Sequence, residues 1–110
     1  MDDLIPVPSG QTVTLIDTVG DAAGPAGLTL RFRFLAPDLA ALDFDLAAED
    51  MRALCESYAL PRVPQTGPTP QQIVISLADR RLQFGDSNPD ATQFFEAFSI
   101  ADGHCIWEPY

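Results

Sequence analysis

Cys55, Cys105, His104 beside the second cysteine, and the alternating pair Arg31 and Arg33 are the side chains of this sequence best suited to chemistry. A thiol pair can form a disulfide, ligate zinc or cycle in redox reactions. Zinc and redox sites want short spacings such as C-x-x-C, whereas these cysteines are 50 positions apart and His104 is the only soft ligand beside them. Metal and redox chemistry are therefore poorly supported, and His104 reads as an exposed residue flanking a turn. Arg31 and Arg33 point from one face of a strand pattern, so their guanidinium forks could grip a carboxylate or phosphate, although strand arginines more often pair with neighbouring acids. They form a candidate anion site.

Other constellations fail on spacing. Asp86-Ser-Asn-Pro-Asp90 matches the first three ligand positions of a calcium loop, but Ala91 stands where the loop needs glycine and Ala97 where it needs glutamate. The segment reads as a turn. There is no Gly-rich phosphate loop, G-x-S-x-G elbow or H-E-x-x-H helix, and one histidine leaves little room for a triad or a multi-histidine metal site. The expectation is a protein without catalytic residues, metal or cofactor.

Composition narrows the partners. Sixteen acids against six arginines, with no lysine, give a formal net charge of -10, which repels the phosphate backbone that nucleic-acid binders must neutralise. An acidic surface first of all keeps a protein dispersed, and it could also attract a basic protein partner or cations. No apolar run approaches the roughly 20 residues of a membrane span, so direct membrane insertion is not expected. The start, Met1-Asp-Asp-Leu-Ile-Pro-Val-Pro, lacks the basic and apolar regions of a secretory signal. A methionine directly before two aspartates is also what a mature chain looks like when a start codon has replaced its leader, so periplasm and cytoplasm both stay open on this ground.

The 110 residues suit one domain, with 1-11 an extended lead-in broken by Pro6, Pro8 and Gly10, and 12-110 globular. Thr12 to Ile16 alternates as a first strand, 20-27 reads as a loop, and Leu28 to Leu35 alternates with Leu28, Leu30, Phe32 and Phe34 on one face. From Asp45 the period becomes helical. Ala47, Met51, Leu54, Cys55 and Tyr58 share a stripe, while Glu49, Asp50, Arg52 and Glu56 take the opposite side. Asp45 is the expected N-cap, with Phe44 packed just outside it, Arg52 and Glu56 are spaced i to i+4, and Leu60-Pro61 should end the helix. Pro61 to Pro70 reads as a surface connection, Gln72 to Leu77 as a strand, Arg81 to Phe84 as a strand folded back on it, and 85-90 as a turn.

The last segment decides the cysteines. A two-residue type I′ turn at Asp102-Gly103 sets Ala101 opposite His104, Ile100 opposite Cys105 and Phe98 opposite Trp107. One face then carries Phe94, Phe98, Ile100, Cys105 and Trp107, and the apolar helix stripe that should cover it carries Cys55. A Cys55–Cys105 disulfide is the favoured reading; two buried free thiols or a reactive cysteine are the alternatives. The expected fold is α+β: an antiparallel sheet of about five or six strands with the 46-59 helix across the face holding Phe32, Ile75, Phe98 and Trp107.

Ile5-Pro-Val-Pro-Ser-Gly, Leu28 to Pro37, Leu54 to Arg62, Gln72 to Arg80 and Ala91 to Glu108 together resemble a small uncharacterised family from alphaproteobacteria related to Rhodobacter. Its members often carry the label acetolactate synthase and often begin with a signal peptide, so the resemblance implies a mature periplasmic form. It transfers no site residues. Acetolactate synthesis needs thiamine diphosphate and a metal held between large domains, which 110 residues without a phosphate-and-metal motif do not build. The expected role is a non-enzymatic interaction or accessory domain of the cell envelope with an unidentified protein partner, Phe95 and the aromatic hairpin offering a contact patch. The alternative is a small-molecule or anion-binding module using Arg31 and Arg33.

Overall fold

The computed structural model describes residues 4-24, 27-63, 70-81 and 89-108. Five strands form one sheet in sequence order: β1 (Thr14–Gly24), β2 (Gly27–Leu35), β3 (Gln72–Ala78), β4 (Gln93–Ala101) and β5 (His104–Glu108). Three pairings are antiparallel, and β2–β3 is parallel because helix α1 (Phe44–Leu54) carries the chain from the end of one strand back to the start of the next. The fold is α+β, with the helix on a single face of the sheet.

Side-chain alternation sorts the two faces. Phe32, Phe34, Ile73, Ile75, Leu77 and Phe98 point to the helix and are buried against Ala47, Met51 and Leu54. The helical backbone continues beyond α1 through a π-helical segment, Cys55–Ala59, into a 3-10 turn, Leu60–Arg62. The helical run therefore passes the expected stop at Leu60-Pro61. The α ladder has already given way before Pro61, so its missing amide removes no α-type bond, and its fixed φ suits the 3-10 turn. Within the π segment Cys55 and Ala59 stay buried while Tyr58 packs edge-on against Phe32 and Phe34.

Several expected boundaries move. The cap is Asp43, whose Oδ1 accepts from the Leu46 amide at 2.9 Å, and Asp45 sits in the first turn, where its charge favours the free amides. Phe44 is the first helical residue. The stretch 20-27, read as a loop, is largely strand: β1 and β2 pair as far as Gly24 and Gly27, with irregularities at Leu15/Asp17 and Val19/Ala22. Pairing along a neighbouring strand has overridden the weak strand propensity of alanine and glycine. The suggested strand at Arg81 to Phe84, the turn at 85-90 and the Asp86 to Asp90 motif fall largely outside the described residues. β3 is itself paired along its whole length by β2 and β4.

The largest departure is Asp50. Placed by periodicity on the solvent side of the helix, it is 0% exposed, because the lead-in folds over it. Ile5 donates its amide to the Val13 carbonyl, Gly10 turns the chain at φ +81°, and Ser9 and Gln11 then face the helix. Asp50 accepts from the Ser9 amide at 2.9 Å, the Ser9 hydroxyl at 2.5 Å and the Gln11 side-chain amide at 2.8 Å. Asp50→Ala leaves three donors without their acceptor, so urea unfolding should show a loss of about 3 kcal/mol. A loss below about 1 kcal/mol would show that the lead-in is not held by this carboxyl group.

Candidate functional site

The terminal hairpin has the register its turn demands. Asp102 and Gly103 take φ of 52° and 76°, and Ala101, Ile100 and Phe98 lie opposite His104, Cys105 and Trp107. In a two-residue hairpin the Cys105 amide points away from β4, toward the open edge. Glu56 fills that position: its Oε1 accepts the Cys105 N–H at 3.0 Å, and its Oε2 lies 3.6 Å from His104 Nδ1. Arg52 and Glu56, spaced for an ion pair, form none, because Glu56 reaches across to the hairpin instead.

Cys55 and Cys105 are disulfide-bonded, with Cα atoms 6.2 Å apart. The bridge ties the end of α1 to the edge strand. Trp107, two residues along the same face of β5, is thereby placed beside the helix rather than beneath it. Expected as a core residue, it is 57% exposed, since β5 is the edge strand and the helix does not extend over it. Its indole is nonetheless fixed: Nε1–H donates to Oε2 of Glu96 on the neighbouring strand.

Glu96 is the residue that sequence reasoning missed. It lies between Phe94 and Phe98 on the helix-facing side of β4 and is 8% exposed, with the Trp107 indole its hydrogen-bond partner among the described residues. Together these groups build a cleft of about 330 Å³ between α1 and the hairpin. Phe44, Ala48 and Arg52, at successive i+4 positions, form the helix wall together with Glu49, and Glu96, Phe98 and Trp107 form the opposite one. Phe44 is 49% exposed and meets Phe94 edge-on at 5.2 Å. Ala48 leaves the gap between them open. A charged residue inside an otherwise aromatic inward alternation, Phe94-x-Glu96-x-Phe98, was the available sequence signal.

Arg31 and Arg33 lie on the sheet face opposite the helix. Arg33 is 8% exposed and meets Asp17 Oδ2 at 2.7 Å across the β1–β2 pair, and the Arg31 guanidinium is 5.9 Å from the Phe95 ring centroid. The two arginines thus share a face with Phe95 and are not part of the cleft. Among the described residues no three histidine, cysteine, aspartate or glutamate side chains are grouped to hold a metal ion, and no helix is long and apolar enough to cross a membrane.

A family model described as a family of unknown function, DUF6497, matches residues 1-110. The chain belongs to this family. No curated protein and no solved structure matches it.

For the bridge the expected outcome is no free thiol in the oxidised protein under denaturing conditions. Reduction should lower the melting temperature by roughly 10 °C or more, given the loop it releases. Two titratable thiols per chain, or an unchanged melting temperature, would contradict the bridge or its contribution to stability.

Proposed function

We propose that this protein is a non-enzymatic interaction or accessory domain of the cell envelope that docks a protein partner in the cleft between α1 and the terminal hairpin. The observation that carries this reading is Trp107, a largely exposed aromatic held in one orientation by a buried carboxylate. Rigid, half-desolvated tryptophans at the mouth of an apolar depression are the anchors from which protein interfaces draw most of their affinity. Phe44 extends the same surface. A disulfide between helix and edge strand suits an oxidising compartment, and the likeness to alphaproteobacterial sequences that often carry signal peptides supports the periplasm over the cytoplasm.

The rival reading, an anion-binding module on Arg31 and Arg33, requires a ligand to compete with Asp17 for Arg33, which makes it the weaker one. The two part in one experiment. Tagged protein recovered from native envelope fractions should bring down a stoichiometric partner. Trp107→Ala, and Ala48→Leu which fills the cleft, should each lose it while keeping the disulfide and the wild-type circular dichroism. Capture that survives both substitutions would overturn the proposal. So would the absence of any partner together with a phosphate- or succinate-induced melting shift abolished by Arg31→Ala and Arg33→Ala.

A further inference from the structure

The cleft holds a buried carboxylate. Phe44, Ala48, Phe98 and Trp107 line the cleft together with the charged side chains of Glu49 and Arg52, and in the wall opposite the helix lies the Glu96 carboxylate, 8% exposed, with Oε2 engaged by Trp107. Any occupant that closes the cleft removes the remaining water from this carboxylate. A purely apolar side chain would leave a buried anion with one neutral donor, which costs more than burying the aromatic walls returns. A carboxylate or phosphate would add like charge. The occupant must therefore bring N–H donors and positive charge to Glu96 and an apolar stem to Phe44, Phe98 and Trp107.

An arginine side chain meets all of these requirements. Its guanidinium is planar and weakly hydrated, stacks on aromatic faces and binds carboxylate oxygens through a fork of donors, while its methylene stem lies along apolar surface. The cleft, at about 330 Å³, is large enough to take such a side chain. The rest of the chain favours the same charge: a net -10 draws basic segments toward the surface. Arg52 lines the same cleft but forms no ion pair with Glu96, which leaves the carboxylate open to a second cation.

We infer that the cleft is the receptor for a single arginine side chain of a basic partner protein, with Glu96 as its counterion and Trp107 and Phe44 as its aromatic walls. This rests on the docking role proposed above. Trp107 is the sole tryptophan, so its fluorescence and its indole N–H resonance report occupancy directly. The probe is the capped tripeptide Ac-Gly-Arg-Gly-NH2, titrated into the oxidised full chain at low ionic strength. The control replaces arginine by citrulline, which keeps the shape and removes the charge.

Saturable shifts are expected with the arginine peptide, with the citrulline peptide weaker by about tenfold or more. Glu96→Gln should lose binding to a similar extent while keeping the fold, because the glutamine oxygen can still accept from the indole. Arg52→Ala, which removes the cation already lining the cleft, should strengthen binding. Equal binding of the two peptides, unchanged affinity in Glu96→Gln, weaker binding in Arg52→Ala, or no saturable shift in wild type would each overturn the inference. Partner capture that depends on Trp107 but not on Glu96 would leave the docking role standing and remove only the arginine.

Discussion

The Cys55–Cys105 bridge fixes how the helix lies against the last hairpin, and much of the rest of the molecule is arranged around that constraint. β5 is a five-residue edge strand with one neighbour. An edge strand this short gains little from its ladder alone and presents unpaired amides to solvent. The covalent tie holds it at the end of the helical run, and Glu56 from that same run takes the outward amide of Cys105. With β5 held there, Trp107 stands beside Arg52 and Ala48, and the cleft acquires a second wall.

Three carboxyl groups do the work of joining parts that hydrophobic burial does not join. Asp50 fastens the lead-in to the helix, Glu56 fastens the helix to the hairpin edge, and Glu96 fastens the Trp107 indole to β4. Asp50 and Glu96 are buried and Glu56 is partly so, and each accepts from an N–H that would otherwise lack a protein partner. In a chain with sixteen acids, part of the negative charge thus serves internal connection rather than the surface alone.

The helix covers one face of the sheet, and the opposite face is maintained differently. There Val74, Ser76, Ala78 and Ala97 are buried, small residues beneath the larger side chains of Arg31, Arg33 and Phe95. The Arg33–Asp17 pair and the approach of Arg31 to Phe95 belong to this cover. Arginines that looked like a ligand site by their spacing therefore also have a packing role in a sheet with a single helical layer.

The repeating elements and the hairpin are written in local patterns of the amino-acid sequence. Period-two alternation in 28-35 and 93-101, helical spacing across Ala47, Met51 and Leu54, and Asp-Gly at 102-103 each act locally, so they are legible without the fold. The turn fixed the register, the register fixed the face of Cys105, and the helix stripe fixed Cys55, which is why the bridge could be read from two local patterns. Tertiary structure alone decided the rest. Asp50 is inside because a segment 40 positions earlier folds over it, Trp107 is outside because its strand is the last in the sheet, and β3 pairs in parallel because a helix precedes it. Periodicity says which way a side chain points relative to its own element, but burial depends on what other element arrives to cover it.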